Sequence, residues 1–222
     1  MEPVAFVRTH YPQKFGVPRQ SGLVPDARAR LIFEPPFRDP DMVRGLDGFS
    51  HLWLIWEFSA NKKAGWHSTV RPPRLGGNKR MGVFATRAPF RPNPIGLSVV
   101  KLERIEYHPE YGPILHLLGA DLLDKTPILD IKPYIPHVDS VPEATEGFTS
   151  QAYPKLDVEI PDNLKEKMPS HLLQALIDTL ALDPRPSYQD DEARLYGLLF
   201  EKWYIKFSVK DHTLIVSDII EV

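Results

Sequence analysis

The chain has 222 residues, of which 42% are hydrophobic and 25% charged, and it contains no cysteine. That length suits one large domain, or one domain with a small appendage, and the apolar content is enough for a core without covalent staples. Disulfides, thiolate zinc sites and cysteine nucleophiles are excluded, a composition that fits the cytoplasm. The formal net charge of -2 hides a division along the chain. Residues 1–105 carry 17 Lys and Arg against 8 Asp and Glu, and residues 106–222 carry 10 against 21. No acidic residue lies between Glu57 and Glu103, an interval that holds Lys62, Lys63, Arg71, Arg74, Lys79, Arg80, Arg87, Arg91 and Lys101. Segregation of this kind can steer and hold a polyanion; pairing of these cations with the acidic half is the alternative.

Taken in chain order, Val4–Arg8 reads as a short strand, and no targeting segment precedes it. His51–Phe58 is apolar on both faces and reads as a core strand. Gly82–Thr86, after a glycine-rich turn, is expected to be a strand, followed by the long strand Leu97–Tyr107. Ile114–Leu118 follows the turn signal Tyr111-Gly112-Pro113. Short strands separated by turns, many of them marked by the 23 prolines, favour an antiparallel barrel or sandwich. A linker is expected near Val141–Pro161. Beyond it, Leu172, Leu173, Leu176, Ile177 and Leu180 share one face of a helix over Pro169–Leu180, with Pro169 in its first turn and Asp183-Pro184-Arg185-Pro186 as its stop. Trp203, Ile205, Phe207 and Val209 alternate with Tyr204, Lys206 and Ser208 as in a strand. Asp211-His212 then turns into a strand at Leu214–Ile220. No run approaches the roughly 18 apolar residues of a membrane span.

The glycines spell neither a dinucleotide-binding fingerprint nor a P-loop, no histidine pair has metal-ligand spacing, and no nucleophile elbow occurs. Three segments are more informative: KFGVPRQSGL (residues 14–23), VRPPRLGGNKRMGVFATRAPFRPNPIG (70–96) and DLLDKTPILDIKPY (121–134). Together with FSHLW at residues 49–53 they resemble the TsaA-like (TrmO) family of S-adenosylmethionine-dependent tRNA methyltransferases. The tail, including DPRPSY at 183–188, resembles the C-terminal extension of the bacterial members. The resemblance implies a mainly β fold: a compact antiparallel β-barrel over residues 1–145 with a small α+β appendage over 160–222. It implies a homodimer with sites near the subunit interface; the residues themselves lead us to expect no metal and no membrane. It also implies methylation of the exocyclic amine of threonylcarbamoyladenosine at position 37, in the anticodon arm of a threonine tRNA. A non-catalytic module binding S-adenosylmethionine and RNA, or a methyltransferase for another substrate, are the competing readings.

Methyl transfer from a sulfonium needs alignment and dryness more than covalent help. By family position, Gln20, Ser21 and Gly22, together with Asp121, Leu122, Leu123 and Asp124, are expected at the cofactor; plain turns are the alternative for both segments. Ser59 and Ala60 stand where relatives carry a His-Gln pair, so contact there is expected through backbone. Arg87 is a candidate partner of the methionine carboxylate, and Leu97 a wall of the site. Arg91-Pro92-Asn93-Pro94 reads as a stiff arch presenting Arg91 to RNA and Asn93 to the reaction, or else as a structural turn. Asp130, Lys132 and Tyr134 alternate, so they share one strand face, either as a target-base site or as an internal ion pair beside a tyrosine. Arg71, Arg74, Lys79 and Arg80 flank Gly76-Gly77 and read as a clamp on the RNA backbone.

Overall fold

Alternation of apolar residues decides which way each strand of the main barrel faces. In the computed structural model, which describes residues 1–150, 154–186, 191–192 and 194–222, the first strands are β1 (Ala5–Thr9), β2 (Arg28–Phe33) and β3 (His51–Glu57). β1 turns Ala5 and Val7 inward; β2 turns Ala29, Leu31 and Phe33 inward and Arg28 and Arg30 outward. β3 buries Leu52, Leu54 and Trp56 and leaves His51, Trp53 and Ile55 half-covered, so it is not buried on both faces as its composition suggests.

Next comes a two-stranded ribbon of β4 (Thr69–Val70) and β5 (Met81–Gly82). The expected strand over Gly82–Thr86 is cut short. Val83–Ala85 forms a 3-10 turn, closed by Thr86 N–H donating to the Val83 carbonyl at 3.2 Å. The long β6 (Ile95–His108) sends Gly96, Ser98, Val100 and Leu102 inward. It is followed by β7 (Gly112–Leu118) and β8 (Pro127–Pro133). The strands close in the order β1-β2-β7-β6-β3-β8, every pair antiparallel, with register shifts at Ile55/Trp56 and Leu102/Arg104. Closure leaves no free edge, and bulges supply the bends it needs.

A short helix, α1 (Pro136–Asp139), leaves the barrel. The appendage begins at β9 (Asp157–Glu159) and continues through α2 (Asp162–Lys165) and α3 (Ser170–Ala181). Pro169 is the extended residue before α3 rather than part of its first turn. Strands β10 (Tyr196–Phe200), β11 (Trp203–Lys210) and β12 (Thr213–Glu221) complete a sheet ordered β10-β11-β12-β9, in which β9 runs parallel to β12. Residues 151–153 of the expected linker, and Ser187 and Tyr188 of the DPRPSY segment, lie outside the described residues.

Two cores result. One fills the barrel. The other packs Leu172, Ala175, Leu176 and Leu180 of α3 against Ile205, Phe207 and Val216, and it also takes in Tyr11, Val24 and Ala27 from the loop between β1 and β2. The Tyr11 hydroxyl meets Thr179 Oγ1 at 3.1 Å. Thr179 itself donates to the Ala175 carbonyl, so Tyr11 is the donor of the pair. The loop between β1 and β2 therefore belongs to both halves of the molecule.

Candidate active site

That loop is also where part of the expected cofactor set, Gln20, Ser21, Gly22, Ala60, Arg87 and Asp121, is drawn together. Gln20 Oε1 accepts from Arg87 Nη1 at 2.5 Å. The Ser21 backbone lies near the Asp121 carboxylate and helps oppose the rise in its pKa. Gly22, with φ +78°, donates its N–H to the Gly119 carbonyl at 2.9 Å. Lys14 Nζ reaches the Ala60 carbonyl at 2.9 Å, so Ser59 and Ala60, in a 3-10 turn after β3, are tied to the loop through backbone. Phe58 N–H donates to the Pro94 carbonyl, which sets this turn beside the RPNP segment. Three separate stretches of sequence thus converge on residues 14–22, and the RPNP segment lies next to one of them.

Asp121 is the most perturbed carboxyl in this group. Burial pushes its pKa up; the Ser98 hydroxyl, donating at 2.6 Å, the Ser21 backbone and the Arg87 charge partly oppose that shift. Behind it, the indole N–H of Trp56 donates to Ser98 Oγ at 3.0 Å. The relay Trp56–Ser98–Asp121 runs from the barrel interior to the loop. Gly96 makes room for it: a Cβ there would sit 2.3 Å from the Trp56 ring. Ser98 and Trp56 are absent from the sequence-derived set, although a lone serine among the inward residues of β6 is the kind of buried polar group that demands a partner.

The other members of the 121–124 segment go elsewhere. Leu122 is buried in the barrel core and its carbonyl accepts from Thr9 Oγ1 at 2.9 Å. The Leu123 carbonyl accepts from Thr126 Oγ1. Asp124 accepts from Arg8 Nε at 3.0 Å and Thr9 N–H at 3.1 Å, facing a smaller cavity of about 470 Å³ shared with His10, Arg28 and Glu201. The two aspartates therefore have different surroundings.

Gln20 and Arg87 stand at one wall of a cleft of about 2160 Å³. This exceeds the ~300–1,000 Å³ of a small-molecule pocket. Its lining carries Arg19, Arg71, Arg74, Arg80, Arg87 and Lys155 against Glu146, so it is strongly cationic. Arg80 Nη1 is held by Thr69 Oγ1 at 2.9 Å, and Arg74 Nη1 reaches the Thr149 carbonyl at 2.6 Å. Lys79 is exposed in the connection between β4 and β5. Arg91 behaves as a structural residue: its Nη1 donates to the Thr86 carbonyl at 2.7 Å and the Val83 carbonyl at 3.2 Å, and its guanidinium lies 5.6 Å from the Phe84 ring centre. Asn93 is exposed, its carbonyl accepting from Ile95 N–H.

Asp130 and Lys132 form an ion pair of 2.9 Å on the outside of β8, and neither they nor Tyr134 line the cleft. Tyr134 packs on Trp53, with ring centres 5.7 Å apart. The Trp53 indole donates to Asp139 Oδ2 at 3.0 Å, and the Ile135 N–H and this bond together hold the Asp139 carboxyl below its usual range. Leu97 is exposed, opposite Ile55.

Family models cover both halves of the chain. The tRNA-methyltransferase O N-terminal domain matches residues 6–140, and the TrmO C-terminal domain matches residues 153–222. This chain belongs to the tRNA-methyltransferase O family. A tRNA (adenine(37)-N6)-methyltransferase of Escherichia coli K12 is 42% identical over 217 residues, covering 94% of this chain and 91% of its own. A Pseudomonas aeruginosa relative whose name assigns it S-adenosylmethionine-dependent methyl transfer is 41% identical over 206 residues, 89% of this chain and 87% of its own. The crystal structure of TrmO from the same organism superposes with a TM-score of 0.81 at 34% identity, covering all of this chain and 96% of that one. The antiparallel barrel expected from the TrmO resemblance is thus the fold observed, and the tail has a TrmO counterpart of its own.

Proposed function

We propose that this chain methylates N6 of threonylcarbamoyladenosine at position 37 of a threonine tRNA, gripping the anticodon arm in the cationic cleft. The enzyme class is that of the family: an S-adenosylmethionine-dependent tRNA (adenine-N6)-methyltransferase. The observation that carries the finer reading is the Gln20–Arg87 contact at the wall of that cleft, with the Ser98-bound carboxyl of Asp121 buried within reach of the Arg87 charge.

The residues suit the donor. S-adenosylmethionine, when bound, supplies an electrophilic methyl on a sulfonium. The Arg87 guanidinium matches the methionine carboxylate, and exchanging Gln20 for that carboxylate keeps it paired. Asp121 offers an acceptor to the ribose hydroxyls or an amine, fixed in orientation by Ser98 and Trp56. The Ser21 and Gly22 backbone, beside a glycine with positive φ, permits close approach. As the new C–N bond forms and the C–S bond breaks, the proton on N6 leaves to solvent or a nearby base. Alignment is the protein's main contribution. Arg71 and Arg80 serve the RNA backbone, for which a polyanion in a cationic groove needs no sequence reading.

A homodimer is part of the proposal. Ile95 and Leu97 on β6, and Ile135, Val138 and Val141 after β8, are exposed apolar side chains that a second copy would cover. Asp130, Lys132 and Tyr134 shortly precede Ile135, and a second copy packed there would bring them to an intersubunit site. Among the described residues no helix is long and apolar enough to cross a membrane, and we place the enzyme in the cytoplasm with its tRNA. The deciding assay measures transfer of labelled methyl to threonine tRNA with and without the threonylcarbamoyl group. Equal labelling of both, or labelling of neither, removes the substrate reading.

A further inference from the structure

Two large aromatic side chains stand in water at the cleft. Trp66 is 61% and Phe84 77% exposed, and both line the cationic cavity. Neither is placed there by a frayed segment. Thr69 pairs with Gly82 and Val70 with Met81, and the Val83 N–H donates to the Ser68 carbonyl at 3.0 Å. The His67 N–H donates to the Phe90 carbonyl at 3.2 Å, and the two rings lie 5.7 Å apart. The ribbon thus brings the Trp66 and Phe84 segments together on a braced backbone. Phe84 is further supported by the Arg91 guanidinium, which the Val83 and Thr86 carbonyls hold in place.

We propose that Trp66 and Phe84 are a stacking platform for unpaired bases beside the target adenosine, with Arg91 as the positioning residue that holds the Phe84 ring. The inference rests on the RNA reading of the same cleft and adds to it the contact that orients the loop. Charge complementarity selects the occupant: the lining carries six cations against Glu146, which suits a polyanion whose bases present flat apolar faces. Aromatic stacking with surrounding arginines is the usual way single-stranded nucleotides are held without reading their edges. An exposed, braced tryptophan in a cationic groove fits that chemistry better than the apolar face of a second copy of this chain.

The test is a fluorescence titration of the full-length protein, free of donor, with an anticodon stem-loop RNA. Trp66 is the most exposed of the four tryptophans, Trp56 and Trp203 being buried, so quenching by a stacked base reports on it. Quenching that is lost in Trp66→Ala is expected. Affinity should fall about tenfold in Trp66→Ala and in Phe84→Ala, and largely recover in Trp66→Phe. The salt dependence of binding should stay unchanged in all three, because no phosphate contact is removed. Unchanged thermal denaturation of each variant keeps the comparison fair. Wild-type affinity and turnover in both alanine variants overturn the platform while leaving the methyltransferase reading intact. Quenching that depends on protein concentration without RNA means that a second copy covers the rings, and also overturns it. Failure of the wild-type protein to bind any RNA overturns both readings together.

Discussion

His10 Nδ1 lies 2.6 Å from Glu201 Oε1, and this bond joins the barrel's first loop to the appendage. Because the Arg28 N–H donates to Nε2 at 3.0 Å, the proton of the neutral ring sits on Nδ1 and Glu201 is the acceptor. The ring also stacks on Phe200 at 5.0 Å. His10 is buried, so the junction is a fixed polar contact within an apolar surround.

Glu201→Gln should therefore cost about 1 kcal/mol at pH 7, the lower end for a charge-assisted bond because the carboxylate is 37% exposed. The His10 hydrogen bond holds the Glu201 carboxyl below its usual range. A lowered folded-state pKa stabilises above the ordinary glutamate value of about 4.3, and that stability is lost as pH falls through the folded value. Urea denaturation at pH 7 and pH 3 should show the gap between wild type and variant closing in acid. A gap that persists at pH 3 contradicts the assignment.

Asp121 has the opposite sign. Burial raises its folded-state pKa, so its contribution to stability is complete at low pH and is lost as pH rises through that raised value. Asp121→Asn should melt at or above the wild-type temperature at pH 7.5, with the difference vanishing toward pH 3. Donor affinity should nonetheless fall at least tenfold, about 1.4 kcal/mol, in calorimetric titration. Full donor affinity in this variant would remove Asp121 from the site.

Gly96→Ala should lose about 1–3 kcal/mol in chemical denaturation, the range for overpacking a filled core. The added methyl meets the Trp56 ring, which can yield only by leaving Ser98. The same variant should weaken donor binding through Asp121, although residue 96 is inward-facing and buried.

Arg71 and Arg91 should separate cleanly. Arg71→Ala should lower the slope of log affinity for tRNA against log salt by about 1, with stability unchanged. Arg91→Ala should leave the slope alone and lower the melting temperature, because its guanidinium bonds the Val83 and Thr86 carbonyls. A changed slope for Arg91→Ala means that it touches phosphate after all.

Strands whose inward residues alternate over many positions, such as β6 and β11, were legible in the sequence, and so was the apolar face of α3. β2 was not: Arg28 and Arg30 alternate with Ala29 and Leu31, and a short run with two arginines does not look half-buried until β1 and β7 flank it. Gly82–Thr86 looked like a strand because Val83 and Phe84 favour one. The nearby carbonyls of Ser68 and Val83 instead take up its N–H groups. In the site, family position drew attention to residues 20–22, 87 and 121. The different fates of Asp121 and Asp124 depend on Ser98 and Arg8, residues far away in sequence, and no local pattern encodes that.

The shared loop has a consequence for the order of events at the ribosome. Tyr11, Val24 and Ala27 bracket Gln20–Gly22, yet they belong to one core with side chains as late as Val216 and Ile219, and the Tyr11 ring meets Phe200 edge-on. Every barrel strand is made before those appendage side chains, so a nascent barrel should display an unclamped Gln20–Gly22 loop until β12 has been made. Proteolysis of stalled chains should cut at Lys14 and Arg19 until the last strand has emerged, and then stop.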